Sequence, residues 1–509
     1  MKFRYIVLLL LSLSLQGFVM ADATAAEPEK GKESAPTIDA IIPAPTVTKH
    51  SITINGKIIN YSATTGYMKI TTEDGKHKAN MFYVAYMKDG EKPETRPITY
   101  AFNGGPGSSS VWLHLGALGP KRVLLDNDGN ALPPPFKVID NEYCWLEFTD
   151  LVFIDPVGTG YSRPAKDEKG EQFHGIDEDI ASVGDFIRRY TTQSKRWLSP
   201  KFLAGESYGT TRAAGLSSYL QQSYGMTLNG IILISTVLQF QTIRFNEGNE
   251  MPYLLYVPAY AATAWYHKKL APELQANLTK TLDEVRAWTM NEYLLALAKG
   301  DKLSPTEKSA IAEKLSRYTG LSKEYILNCN LRIDIFRFIK ELTRSERRTV
   351  GRLDSRFKGI DQDAAGENPD YDPSYDAVIY GPFTAALNDY MRNDLNYENE
   401  LPYEILTGKV HPWNWGSGER GFPNVADNLR SAMSKNQHLK VFVANGYYDL
   451  ATPFSATEYT INHLGIEPEL HRNISMKYYE AGHMMYIHKE SLKLFTKDVQ
   501  QFVISAVPK

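Results

Sequence analysis

The sequence predicts an α/β fold with a mostly parallel central sheet, helices on both faces, antiparallel N-terminal strands and a largely helical insertion. Four short apolar runs without alternation lie at 151–154, 202–204, 231–234 and 441–444. Strands buried on both faces have this pattern, and the helical periodicity of residues 177–190 falls between the first two runs. Since 43% of the 509 residues are hydrophobic, the chain has enough apolar side chains for a large core.

The first 48 residues resemble a targeting segment followed by a linker. Lys2 and Arg4 precede an apolar run, 5–20, which ends at small residues, so we expect a secretory signal peptide over 1–23. A membrane anchor is disfavoured because the run is shorter than the roughly 20 residues that span a bilayer. Residues 24–48 are rich in Pro, Lys and Glu and predict a flexible leader. We therefore expect an exported protein, periplasmic or secreted, that is not membrane-bound once the signal is removed.

The folded part is predicted to begin with antiparallel strands. Alternating Ile52 and Ile54 are followed by Asn55-Gly56, a preferred two-residue hairpin turn, and the pattern resumes at Ile58. A second pair, 79–86 and 97–102, is expected to extend this antiparallel group.

The strand–helix rhythm is lost between the third and fourth buried runs. Helical patterns dominate 272–342, which predicts an insertion that covers the carboxyl edge of the sheet. We assign residues 49–235 to the first part of the core, 236–400 to a mainly helical cap and 401–509 to the second part of the core. An independent binding domain is the alternative interpretation of the insertion.

Composition excludes several functional classes. The formal net charge of −3 gives no basic surface for nucleic acid, so no nucleic-acid partner is expected. Only Cys144 and Cys329 are present, which allows one disulfide at most. No H-E-x-x-H or paired C-x-x-C motif occurs, so we predict no metal and no cofactor. Nothing in the sequence indicates an oligomeric state.

A candidate nucleophile follows the second buried run. Gly205-Glu206-Ser207-Tyr208-Gly209 matches G-x-S-x-G and precedes a helix-compatible stretch, 210–221. In the α/β-hydrolase fold this motif forms a sharp strand-to-helix turn that exposes the serine hydroxyl, and the small residues relieve crowding. The context therefore predicts an α/β-hydrolase fold with Ser207 as nucleophile.

A glycine-rich loop precedes this motif along the chain. Asn103-Gly104-Gly105-Pro106-Gly107 comes directly after the strand that ends at Phe102. Successive glycines let backbone amides approach a substrate oxygen, and oxyanion donors in this fold come from a loop near this position. A Gly-Pro turn without a ligand is the simpler alternative.

A serine hydroxyl needs a base, and the base needs a group that orients it. In α/β hydrolases the acid and then the histidine follow the serine in chain order. Asp449 lies just past the strand 440–444, and His483 lies past the strand-like segment 476–479. Both residues are expected at loops that leave carboxyl ends of strands, which predicts a Ser207, Asp449 and His483 triad.

These segments together resemble the serine carboxypeptidase family. That family carries W-x-N-G-G-P-G-C-S-S, G-E-S-Y-[AG]-G, N-G-x-x-D and G-H-M segments. Here the corresponding residues are 101–110, 205–209, 445–449 and 482–484, in the same order. The resemblance covers roughly residues 80–500 and implies a peptidase that releases C-terminal amino acids from peptides through an acyl-enzyme.

The resemblance also implies roles for the neighbouring residues. The amides of Gly105 and Tyr208 would form the oxyanion hole. Asn103, the Gly104 amide and Glu206 would bind the terminal carboxylate of the substrate. A carboxylate beside Glu206 is tolerated only if one of the two is protonated, and burial raises the pKa of such a group.

Three residues depart from the family pattern. Ala101 replaces a tryptophan, Ser108 replaces the loop cysteine, and Ala117 stands where many members carry a second glutamate beside the substrate carboxylate. An esterase or acyltransferase with the same triad therefore stays open as an alternative. A binding protein with an inert triad is the second alternative.

Overall fold

A ten-stranded sheet forms the centre of the computed structural model, which describes residues 44–416 and 421–507. The predicted signal peptide and most of the predicted leader lie outside these residues. The strands are β1 Thr46–Ile54, β2 Lys57–Thr71, β3 His77–Lys88, β4 Ile98–Phe102, β5 Lys121–Val123, β6 Val138–Asp140, β7 Asp150–Ile154, β8 Arg163–Pro164, β9 Lys201–Ser207, β10 Gly230–Thr236, β11 Arg348–Val350, β12 Lys358–Ile360, β13 Lys440–Gly446 and β14 Ile474–Tyr479.

The sheet has the predicted mixture of directions. Its order is β1-β2-β3-β7-β4-β9-β10-β13-β14, with β8 beside β3. The pairs from β1 to β7 are antiparallel, and every pair from β7 to β14 is parallel. The β1–β2 turn is the predicted one, since Asn55 and Gly56 both have positive φ, 49° and 75°. The α/β-hydrolase fold is thus confirmed.

Two expectations for the N-terminal part were wrong. Segment 97–102 does not pair with 79–86: β7 lies between them, and β4 runs parallel to both β7 and β9. All five residues of β4 are buried, which suits a central strand. The predicted flexible leader, 24–48, also extends too far along the chain. Strand β1 already begins at Thr46, which pairs with Thr65 of the long strand β2.

Helices cover both faces of the sheet and build the insertion. They are α1 Val111–Leu113, α2 Ile176–Gln193, α3 Tyr208–Tyr224, α4 Met251–Leu255, α5 Val257–Tyr266, α6 Pro272–Gln275, α7 Leu278–Trp288, α8 Leu294–Lys299, α9 Pro305–Thr319, α10 Lys323–Asn328, α11 Ile335–Glu341, α12 Tyr380–Asn393, α13 Ala426–Lys435, α14 Phe454–Asn462 and α15 Lys489–Ala506. Within the described ranges, no helix has both the length and the apolar character needed to cross a bilayer.

Successive side chains along a strand pack into two separate cores, one on each face of the sheet. Phe202 and Ala204 of β9 join the core that contains α15, whereas Leu203 joins the core that contains α2 and α3. Because both faces are covered, the strands are apolar throughout, which explains the runs in the sequence. Cys144 and Cys329 are buried and unpaired.

A third core lies within the insertion. It is built mainly by α4, α5 and α7–α11. Local signals set the helix ends: Ser304 and Glu307 form a reciprocal capping box before α9, and Gly320 ends that helix with φ 72°. The insertion also contains a buried ion pair, Lys340 with Asp361, whose side chains are 0% and 1% exposed.

We expect Asp361→Ala to destabilise the insertion strongly. The substitution leaves the Lys340 ammonium buried with the carbonyl of Asp363 at 2.5 Å as its remaining partner. Loss of one member of a buried pair costs about 3–5 kcal/mol of unfolding free energy. Urea denaturation checks this, with Lys299→Ala as the control, because the Lys299–Glu307 pair is exposed and screened by water. Equal effects of the two substitutions would contradict the prediction.

Candidate active site

The predicted nucleophile lies at a sharp turn between β9 and α3. Ser207 has φ 59° and ψ −128°, a region that residues with a Cβ rarely adopt. A Cβ on Gly205 would lie 2.1 Å from the carbonyl oxygen of Gly209. Glycine is therefore required at 205, because the backbone of the turn packs directly against the backbone of Gly209. The turn places Ser207 beside the amino end of the 17-residue helix α3, where negative charge is favoured.

The glycine-rich loop packs directly on this turn. β4 pairs with β9 so that its last residue, Phe102, lies opposite Gly205, and Asn103 follows β4 while Glu206 continues β9. A Cβ on Gly104 would lie 2.4 Å from the amide nitrogen of Tyr208. The loop carrying Gly105, which has φ 99°, is thus held next to the Tyr208 amide. Both predicted oxyanion donors are in this one region of the structure.

Asp449 and His483, the predicted acid and base, are in direct contact. Oδ2 of Asp449 lies 2.8 Å from Nδ1 of His483, and the two side chains are almost fully buried. The carboxylate also accepts hydrogen bonds from the amides of Ala451 and Thr452 and from the Thr452 hydroxyl, at 2.8–2.9 Å. These donors fix the carboxylate so that it faces the imidazole.

The two loops that carry this pair hold each other. β13 and β14 run parallel, and the amides of Tyr447 and Tyr448 continue the pairing to the carbonyls of Tyr479 and Ala481. A Cβ on Gly446 would lie 2.1 Å from the carbonyl oxygen of Gly482. The acid and base loops therefore leave the sheet in direct contact.

Neighbouring elements also hold the His483 backbone. The hydroxyl of Ser235, at the end of β10, donates to the His483 carbonyl at 2.6 Å. The His483 amide donates to the carbonyl of Leu353 at 2.6 Å, and Leu353 belongs to the insertion. The base is thus anchored from the sheet on one side and from the insertion on the other.

Ser207 and His483 are not hydrogen-bonded to each other in the described structure. The Ser207 side chain makes no hydrogen bond there, and it is partly exposed at the edge of the sheet. Such bonds are often long in free enzymes and tighten when substrate binds.

Glu206 lies beside the turn in a buried polar cluster. The amide nitrogen of Asn103 donates to its Oε1 at 2.9 Å, and the Tyr486 hydroxyl donates to its Oε2 at 2.5 Å. Burial raises the pKa of Glu206 to about 7, while the charge of His483 and the two hydrogen bonds oppose that rise. Glu206 is consequently a carboxyl group that changes charge near neutral pH.

The pKa of His483 results from opposing effects. Burial lowers it, but the charge and hydrogen bond of Asp449, with the charge of Glu206, raise it above its usual value overall. The two carboxyl groups thus favour the imidazolium that a general base forms when it accepts a proton.

Sequence reasoning missed three residues of this region. Thr452 orients Asp449, and Tyr486 contacts Glu206. Arg212, 1% exposed, donates to the Asn103 carbonyl at 2.7 Å and to Asp179 at 2.8 Å, and so holds the glycine-rich loop. The sequence carried a weak signal for two of them, since Thr452 and Tyr486 each lie three residues after a predicted site residue, Asp449 or His483.

Comparison with known proteins places the chain in a family. The family model for serine carboxypeptidases matches residues 54–499. The chain is 31% identical over 169 residues to pheromone-processing carboxypeptidase KEX1 of Yarrowia lipolytica, over 31% of this chain and 25% of that protein. It is 24% identical over 222 residues to serine carboxypeptidase-like 45 of Arabidopsis thaliana, over 40% of this chain and 45% of that protein.

These alignments are partial. A third match, 34% identical to the KEX1 carboxypeptidase of Saccharomyces cerevisiae, covers 28% of this chain and 20% of that protein. The chain thus spans between a fifth and just under half of the length of these relatives. The family match, by contrast, extends over most of the chain and includes every predicted site residue. The chain therefore belongs to the serine carboxypeptidase family.

Proposed function

We propose that the chain is a serine carboxypeptidase that releases C-terminal amino acids from peptides. The observation that carries the proposal is the buried pair of Asp449 and His483, at the same sheet edge as the strained Ser207 and the Glu206–Asn103 pair. Membership of the family and the carboxypeptidase names of relatives support the same reaction.

The geometry suggests an acyl-enzyme mechanism. Ser207 Oγ attacks the carbonyl carbon of the last peptide bond while His483 Nε2 accepts its proton, and Asp449 stabilises the imidazolium. The amides of Gly105 and Tyr208 donate to the oxyanion. His483 then protonates the leaving amino acid. Water, deprotonated by His483, hydrolyses the acyl-enzyme and releases the shortened peptide.

Recognition of the free C-terminus falls to the cluster beside the nucleophile. Asn103, the Gly104 amide and Glu206 would bind the terminal carboxylate. Because burial raises the pKa of Glu206 to about 7, the side chain is neutral at acidic pH and donates a hydrogen bond to the substrate. Above that pH two carboxylates face each other, and binding weakens.

An ester hydrolase or acyltransferase with the same triad is the second candidate. Ala117 supports it, since this residue is fully buried and adds no polar group where many family members carry a glutamate. An inert binding protein is the third candidate. Export through residues 1–23 to the periplasm or the exterior stays part of the proposal and rests on the sequence pattern.

Peptide digestion tests the reaction directly. We expect mass spectrometry of a digested peptide mixture to show ladders shortened from the C-terminus only. Peptides with a C-terminal amide should react at least about tenfold more slowly, because a lost charged hydrogen bond costs about 1.5–3 kcal/mol. Ser207→Ala should abolish the ladders and the labelling by a fluorophosphonate. Labelling without ladders would favour the esterase, and an unlabelled wild type would favour the inert protein.

The dependence of kcat/KM on pH tests the role of Glu206. For peptides with a free C-terminus we expect kcat/KM to fall above about pH 7, where Glu206 loses its proton. Glu206→Gln should remove this descending limb, because glutamine is neutral at every pH. The C-terminal amide of the same peptide serves as the control and should lack the limb in both proteins. A wild-type kcat/KM that rises steadily from about pH 4 to about pH 8 contradicts the assignment.

A further inference from the structure

Tyr486 makes a contact with the carboxylate cluster that the family motifs do not include. It follows His483 by three residues and lies in the short helical turn Met485–Ile487. Its side chain is 1% exposed, and its hydroxyl donates to Oε2 of Glu206 at 2.5 Å. A buried phenol aimed at a buried carboxyl group is a strong and well-defined interaction.

The Tyr486 ring lies where Ala117 leaves the site without a polar group. A Cβ on Gly116 would lie 2.5 Å from Cε2 of the Tyr486 ring, so the ring packs on the backbone next to Ala117. A bulkier residue at 116 would displace the ring. The phenol hydroxyl thus contacts Glu206 while its ring packs against the segment that, in many family members, carries the second glutamate.

Asn103 donates a hydrogen bond to the other oxygen of Glu206, and the orientation of the Asn103 side-chain amide is fixed. The amide of Leu113 donates to Oδ1 of Asn103 at 3.0 Å, which leaves Nδ2 facing Oε1 of Glu206. Each oxygen of Glu206 therefore accepts one hydrogen bond within the protein. Tyr486 holds Oε2 and Asn103 holds Oε1, so the two bonds together fix the orientation of the carboxyl group.

We propose that Tyr486 is a positioning residue that replaces the acidic residue absent at Ala117 and holds the Glu206 carboxyl group in the orientation that binds the terminal carboxylate of the substrate. This inference rests on the proposed carboxypeptidase function. The ligand is the α-carboxylate of a peptide, and Tyr486 acts on it through Glu206.

The charged groups around Glu206 define what Tyr486 contributes. Burial raises the pKa of Glu206, the charge of His483 and the Tyr486 hydrogen bond lower it, and the charge of Asp449 raises it. Burial and Glu206 raise the pKa of the Tyr486 phenol well above 10, so the phenol remains a donor at every working pH. Removal of the hydroxyl takes away one of the interactions that stabilise the Glu206 anion.

Tyr486→Phe tests the inference through the pH profile. We expect the descending limb of kcat/KM for a free peptide to move up by about one pH unit, a tenfold change in proton affinity. We also expect KM for that peptide to rise more than kcat falls, because the Glu206 carboxyl group loses one of the two hydrogen bonds that fix its orientation. The matched control is Tyr479→Phe, since Tyr479 is equally buried and donates to Asp498, outside the site, at 3.0 Å.

A second measurement does not depend on turnover. Infrared titration of the protonated carboxyl band, assigned to Glu206 by its loss in Glu206→Gln, should show the same upward shift in Tyr486→Phe and none in Tyr479→Phe. An unshifted band in Tyr486→Phe, or equal shifts in both variants, overturns the inference. A wild type that does not prefer free C-termini overturns the proposed function instead, and the infrared shift still decides whether Tyr486 controls Glu206.

Discussion

The register of β4 against β9 is the constraint on which the site depends. Because Phe102, the last residue of β4, lies opposite Gly205, two residues before β9 ends, the glycine-rich loop meets the nucleophile turn backbone to backbone. Added Cβ atoms at Gly104 or Gly205 would lie within 2.4 Å of main-chain atoms. This contact sets Gly104 against the Tyr208 amide, and Asn103 lies within hydrogen-bonding distance of Glu206.

Burial couples the ionisable groups at this edge of the sheet. Asp449 raises the pKa of His483, and Glu206 adds to that effect, while the imidazolium in turn favours ionised Glu206. Protons on His483 and Glu206 therefore belong to a coupled set rather than to single residues. The proposed reaction uses this coupling, since one group must be free to accept a proton while the other keeps its own.

Much of this arrangement could be predicted from local sequence. The apolar runs predicted the parallel strands, because a strand that is buried on both faces is apolar throughout and can be identified from its own residues. The motifs predicted Ser207, Asp449 and His483 because strained turns and strand ends restrict residue types. The pairing of β4 was mispredicted, because register with β7 depends on residues about 50 positions away. Tyr486 and Arg212 act on partners 280 and 109 residues distant, and no local pattern encodes such contacts.

The insertion holds the loops of the predicted acid and base. The Leu353 carbonyl accepts a hydrogen bond from the His483 amide, and the buried side chains of Tyr448 and Leu450, which flank Asp449, belong to the insertion's core. The loops of Asp449 and His483 are thus held by the insertion as well as by the sheet. A change in the packing of the insertion would therefore alter the positions of Asp449 and His483, even where it lies far from both side chains.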